Sequence, residues 1–309
     1  MDRNPTHITL TELIALNQHA GSLRLRASHI QARQTGQYLS RFKGRGMEFD
    51  ESRLYQPGDD VRNIDWRVTA RTGNTHTKLF HEERERPVFI GIDARAPMFF
   101  ATRGLFKSVV AAEIAALLAW AAHQQGDRLG GIIFSADEHR ELKPRRGKQG
   151  VLRLLQALSN AAAGRPEQII ETPSLSPALS RLNRIAHPGS LACLISDFRG
   201  FDEESESLLT QIARHNDVVL IHVYDPLEYR LPENGQYRLT NGQRTLDINT
   251  TNEHFQQDYT ARFSNRINQL ESFSRLHRIQ WLQCRTDQSP QDILHRAFGF
   301  RAWPKRRAG

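Results

Sequence analysis

The densest chemistry in this sequence lies between residues 53 and 71. Arg53, Asp59, Asp60, Arg62, Asp65, Arg67 and Arg71 fall within 19 positions, with Tyr55 and Trp66 among them. Guanidinium groups pair with carboxylates through two parallel hydrogen bonds, so such pairs could pin an irregular segment onto a larger domain. Arg, Tyr and Trp also dominate the decisive positions of protein interfaces, which makes the segment a candidate recognition surface. A third chemistry would use Asp59, Asp60 and Asp65 as metal ligands, but an excess of arginine over carboxylate disfavours a bound cation.

A second set of carboxylates stands at the ends of apolar runs. Asp93 closes VFIGID, Asp197 follows LACLIS and Asp225 closes DVVLIHVYD. In parallel α/β sheets, ligand chemistry sits at the C-terminal ends of the strands, so the three suggest a shared polar rim. Enzyme motifs are missing. Gly147-Lys148 lacks the upstream glycine and downstream hydroxyl of a phosphate-binding loop, and no GxSxG, HExxH or CxxC occurs. The 13 histidines are scattered. The expectation is a protein that is not an enzyme. A metal-dependent hydrolase using Asp59, Asp60, Asp93 or Asp197 is the minor reading. Cys193 and Cys284 lie in apolar stretches and read as reduced core thiols.

The formal net charge of +8 over 309 residues is concentrated in two places. Arg140–Arg153 carries a net +5, and the tail Arg301–Gly309 adds four cations. These are either solvated patches or a site for nucleic acid, an anionic membrane surface or an acidic protein face. No nucleic-acid motif and no interleaved aromatic residue accompanies them, which makes nucleic acid a poor fit and polyanion binding the alternative function. The longest apolar run, Val109–Ala122, is broken by Glu113 and too short to span a bilayer. MDRNPTHITL has no signal-peptide core, so a cytoplasmic location is expected.

These residues must be positioned by two differing textures. Residues 1–86 read as an N-terminal module: a helix from about Thr11 to Ala20 continuing toward Ala32, then a turn-rich stretch with turns at Pro57-Gly58 and, between two strand-like pieces, at Gly73-Asn74. Residues 87–300 alternate non-alternating apolar runs with amphipathic helices, the signature of a doubly wound, mostly parallel α/β sheet. Strands are predicted over 88–93, 128–135, 191–197, 217–225 and 279–284. Helices are predicted over 106–124, 150–163, 176–186, 202–215, 252–276 and 290–298. Within 228–249, Asn234-Gly235 and Asn241-Gly242 between Tyr, Leu and Ile predict a β-hairpin insertion. Residues 301–309 form a basic tail.

The run GRGMEFDESRLYQPGDDVRNIDWRVTARTG, with Arg53, Tyr55, Pro57–Asp60, Arg62, Asp65, Trp66 and Arg71, resembles the signature of domain-of-unknown-function family 58. The resemblance implies a C-terminal von Willebrand factor A-like domain, often bearing a metal-ion-dependent adhesion site. That site uses D-x-S-x-S after the first strand, a Thr in a later loop and an Asp after the fourth strand. It also implies work with a MoxR-type AAA+ ATPase, and with related von Willebrand A-domain proteins, as an adaptor in complex assembly or activation linked to stress or envelope functions. Here the first motif reads Asp93-Ala94-Arg95-Ala96-Pro97, without either serine. Asp197 matches the fourth-strand aspartate, and the Thr counterpart lies among Thr172, Ser174 and Ser176. With two oxygen ligands missing and a cation added, a degenerate site without tight Mg²⁺ is expected. The Arg95 guanidinium is expected either between Asp93 and Asp197, in place of the metal charge, or in solvent.

Overall fold

The computed structural model describes residues 4–25, 47–82, 86–136, 138–163, 174–232, 235–240 and 245–299. The chain divides into two units, Met1–Ala27 with Arg86–Gly309, and Ser28–Glu85. The expected module over 1–86 is therefore split, and its helical start belongs with the α/β unit. That start is α1 (Leu10–Ala15), opened by a Thr9–Glu12 capping box and continued by a short tight turn of helix over Leu16–His19. Its apolar residues Leu13 and Leu16 are buried in the α/β core, which is why the segment sits there.

In the smaller unit, β1 (Met47–Leu54) and α2 (Trp66–Thr72) precede β2 (His76–Glu82), and the two strands pair antiparallel with a bulge between Phe49 and Glu51. The expected turn at Gly73 is present, but the piece before it is a helix. The Asp65 carboxylate accepts from the Arg67 and Val68 amides and starts that helix. Gly73, with φ 76°, ends it in the left-handed conformation that favours glycine.

The larger unit is built on β3 (Pro87–Asp93), α3 (Lys107–Gln124), β4 (Arg128–Phe134), β5 (His139–Arg145), α4 (Lys148–Ala163), α5 (Ser176–Ile185), β6 (Leu191–Ser196), α6 (Glu203–His215), β7 (Asp217–Tyr224), α7 (Pro226–Tyr229), α8 (Glu253–Leu276), β10 (Gln280–Arg285) and α9 (Pro290–Phe298). The hairpin β8 (Gln236–Thr240) and β9 (Thr245–Asn249) is inserted before α8. The sheet runs in the order β5-β4-β3-β6-β7-β10, parallel throughout except for β5. Chain order reverses between β3 and β6, the crevice where open α/β sheets hold ligands.

Alternate strand residues enter two cores. Val88, Ile90 and Ile92 of β3 face one with α1, α3, α4 and α9, while Phe89 faces the other with α5, α6 and α8. Both faces are covered, so the central strands are buried at nearly every position and read as near-continuous apolar runs. Helix α3 is buried from Lys107 to Ala122, because the N-terminal segment covers the side away from the sheet. Trp120 Nε1 donates to the Leu13 carbonyl at 3.1 Å, and Gln124 donates to Asn17. A helix apolar all round needs this second cover. Strand β5 was not foreseen. HRELKPR is polar because it pairs at the sheet edge, where only Leu142 is buried, so half of the basic stretch 140–153 is an edge strand. The expected hairpin is present, but Asn234 and Asn241-Gly242 lie outside the described residues, as does the tail 301–309. Among the described residues, no helix is long and apolar enough to cross a membrane.

Candidate functional site

The end of β3 delivers Asp93 into the crevice, and the next two residues turn Arg95 back upon it. The Arg95 backbone amide and Nε both donate to Asp93 Oδ1 at 2.9 Å, and Nη2 donates to Oδ2 at 2.7 Å. The guanidinium does lie between the carboxylates, with Nη2 3.9 Å from Asp197 Oδ1. It also donates to the Arg199 carbonyl at 3.0 Å and lies over the Phe134 ring. Arg95 is only 2% exposed, which overturns the solvent alternative. Ser196, at the end of β6, donates to Asp93 Oδ2 at 2.6 Å and accepts from the Phe198 amide. Phe198 has φ 53°, a left-handed backbone strained for a bulky residue, which turns the chain sharply after Asp197.

Sequence reasoning missed three members of this cluster. Lys107 opens α3 and is fully buried, and its Nζ donates to Asp197 Oδ2 and to Glu228 Oε1, each at 2.9 Å. Arg199 donates to Glu228 Oε1 at 2.7 Å, and its backbone amide donates to Asp197 Oδ1. Glu228 Oε2 accepts from the Asp225 amide, closing a capping box on α7. Signals for them existed. Lys107 is a lone cation heading an apolar helix, Arg199 lies two residues beyond Asp197, and DPLE is a capping-box pattern. Three carboxylates thus face three cations. Burial would push the Asp197 carboxyl up, but Lys107 and Arg199 outweigh it and hold it well below the usual carboxylate range. Burial likewise opposes the charge on Arg95, and the Asp93 and Asp197 carboxylates overcome it and raise its pKa.

Asp225 joins the cluster through Glu228 but performs a separate task. Its carboxylate accepts from Thr102 at 2.8 and 2.5 Å, from Thr286 Oγ1 at 2.7 Å and from the Leu227 amide at 2.9 Å. It thereby ties together the loops that follow β3, β7 and β10. Ser174 and Ser176 stand elsewhere. Ser174 donates to Asp202, the cap of α6, at 2.6 Å, and accepts from the Ser176 amide.

The divalent cation implied by the family resemblance does not fit these residues. Asp93 accepts four hydrogen bonds from Arg95 and Ser196, which saturates its oxygens. Magnesium needs a near-complete octahedron of oxygens, and a guanidinium occupies the approach.

In the smaller unit, the signature residues serve mostly local structure. Arg53 pairs with Asp59 at 2.7 Å, and Asp59 also accepts from the Gln56 amide. The Gln56 amide and Arg53 hold the Asp59 carboxyl below its usual range despite an opposing desolvation. Tyr55 donates to the Asp59 carbonyl, Asp60 accepts from the Arg62 amide, and Asp65 accepts from Ser52. These aspartates are engaged as caps and pairs rather than gathered for a metal. Among the described residues, no group of three or more His, Cys, Asp or Glu converges to hold one. Trp66 is 70% exposed, and Val61 and Leu54 of the same unit are exposed as well. In the other unit, Glu141 of the basic stretch pairs with Arg184 at 3.1 Å and Arg181 at 3.6 Å.

Comparison with known proteins places this chain in context. It is 34% identical over 211 residues to uncharacterized proteins of Mycobacterium bovis and Mycobacterium tuberculosis, covering 67% of this chain and 64% of theirs. The chain thus spans a little under two thirds of the length of these relatives. It is similar to the crystal structure of a conserved hypothetical protein BatB from Bacteroides thetaiotaomicron, at 15% identity and TM-score 0.43, covering 68% of this chain and 96% of that one. A similar match is found with an aerotolerance-related membrane protein from Bacteroides fragilis, at 14% identity and TM-score 0.43, covering 69% of this chain and 96% of that one. The model of the family described as protein of unknown function DUF58 matches residues 51–268, from the Arg/Asp/Trp segment through the α/β unit, and the chain belongs to that family.

Proposed function

We propose that this chain is a non-enzymatic interaction protein working with a MoxR-type AAA+ ATPase in the assembly or activation of other complexes. In this reading the larger unit is a von Willebrand factor A-like platform whose adhesion site is degenerate. Its support is the switch-point crevice, where Arg95 stands in the position a metal would need and Asp93, Asp197 and Glu228 each have a cationic partner. Among the described residues these three carboxylates are spent on the cluster's own cations, and a rigid, internally paired platform suits binding.

The observation that carries the interaction reading is Trp66. It is 70% exposed in the unit that bears the family signature. Its neighbour Asp65 donates its amide to the carbonyl of His76, and His76 pairs with the exposed Leu54, so Trp66 and Leu54 flank one strand end. Large exposed apolar side chains held on a small hydrogen-bonded frame are the raw material of interface hot spots. The test is capture of the MoxR-type ATPase by the purified chain, with and without ATP. Trp66→Ala is expected to weaken capture by about 2 kcal/mol, roughly thirtyfold in Kd. Equal capture by wild-type protein and a folded Trp66→Ala variant refutes the assigned surface. No capture under either nucleotide condition refutes the ATPase partnership.

A further inference from the structure

A cleft of about 660 Å³ opens beside the ion cluster, at the C-terminal ends of β7 and β10. Its size falls within the range of binding clefts of a few hundred to a thousand cubic ångströms. The walls combine Tyr224, Tyr229 and Tyr237 with prolines and leucines from the segment after β7, and Arg103, Arg230 and Arg285 also line it. All three arginines are exposed. Among the described residues, the acidic groups nearest in sequence are turned away from the cleft or already engaged. Glu228 faces inward to Lys107 and Arg199, and Asp225 is buried among Thr102, Thr286 and the Leu227 amide. The described lining therefore sets arginine side chains around an aromatic floor.

The rim already shows what it accepts. Arg285 holds the Asp287 carboxylate through two bonds of 2.9 and 3.2 Å, Nε to Oδ1 and Nη2 to Oδ2. Arg103, on the loop after β3, has no carboxylate partner among the described residues. Its loop is held firmly: Thr102 is bound twice to Asp225, and Gly104 (φ 73°) lies so close to the Thr286 carbonyl that a Cβ there would come within 2.5 Å of its oxygen. Arg103 is thus carried on a fixed frame beside an apolar cleft. Glu228 and Leu227 occupy adjacent positions on α7, so the cleft and the buried cluster share one turn of helix.

We propose that this cleft binds an acidic segment of a partner protein, whose carboxylate pairs with Arg103 while a neighbouring apolar side chain packs among Tyr229, Tyr237 and Leu231. Charge complementarity selects the acid, and the tyrosine and proline walls select an extended apolar-acidic stretch over a free inorganic anion. The site lies in the larger unit and does not depend on the ATPase reading, which Trp66 tests.

The experiment uses the full chain and fluorescence anisotropy with a pool of labelled short peptides combining glutamate or aspartate with phenylalanine, leucine or proline. A matched pool carries glutamine and asparagine in place of the acids. Binding by acidic members is expected, weakened about tenfold or more by Arg103→Ala and by the amide pool, and weakened by added salt. Tyr237→Ala is expected to weaken binding without changing its salt dependence. Three outcomes overturn the proposal: no acidic member binds; the amide pool binds equally; or Arg103→Ala, with an unfolding midpoint equal to wild type, binds as wild type does. Displacement of bound peptide by ATP but not by phosphate would also overturn it, in favour of an anionic small molecule.

Discussion

Replacing Arg95 by alanine is the sharpest test of the charge architecture. Arg95 is 2% exposed and supplies three of the four hydrogen bonds that Asp93 accepts. The amide bond survives the substitution, but both guanidinium bonds and the positive charge disappear. Asp93, itself 1% exposed, then keeps one backbone amide and the Ser196 hydroxyl as donors, beside an Asp197 that remains ionised. Removing one partner of a buried pair costs about 3–5 kcal/mol, because the other charge stays buried. At about 2 °C per kcal/mol for a unit of this size, the melting point should fall by roughly 6–10 °C. The double variant Asp93→Asn/Arg95→Met removes both charges and should recover most of that loss. Circular dichroism melts and urea titrations, read by tryptophan fluorescence, measure both. If Arg95→Ala melts within about 1 °C of wild type, or the double variant is no better than the single, the buried pair is not what holds the crevice.

Three further outcomes follow from burial. His222 is fully buried between Tyr224 and Trp281 with neither ring nitrogen partnered among the described residues, and burial pushes its pKa down to about 3. The unfolded imidazole titrates near pH 6.5, so stability present above that value is lost as pH falls toward 3, and His222→Phe should flatten this part of the pH–stability curve. Asp197 has a depressed folded pKa, so its contribution is present above about pH 4 and lost as pH falls further; Asp197→Asn should be least harmful in acid, checked by urea midpoints from pH 2 to 7. Burial raises both thiols, Cys193 and Cys284, to about 12, so a thiol reagent at pH 8 should find neither until the protein is unfolded, when both react.

Much of the fold was legible because its physical cause is local. β3, β6 and β7 are apolar at successive positions since both faces of the sheet are covered, and that demand is written directly into VFIGID, LACLIS and VVLIHV. The helices announce themselves through caps, such as Asp202 before α6 and Ser289 with Pro290 before α9. Strand β5 was illegible for the converse reason: an edge strand buries almost nothing, so HRELKPR carries no apolar run. The helix α2 was hidden because Trp66–Thr72 has no buried face, and its start rests on a single capping aspartate.

By itself, the sequence determined the mostly parallel α/β class and the placement of Asp93, Asp197 and Asp225 at the ends of apolar strands, with Arg95 two residues beyond Asp93. Only the tertiary structure decided that Arg95 turns inward, and that Lys107, Arg199 and Glu228 complete the neutral cluster. Those partners lie 90 to 121 positions from Lys107 along the chain, or in a separate turn of helix, and meet only when the sheet order reverses between β3 and β6. Strand periodicity is a local demand of burial, whereas ion pairing in a crevice depends on which loops the topology brings together.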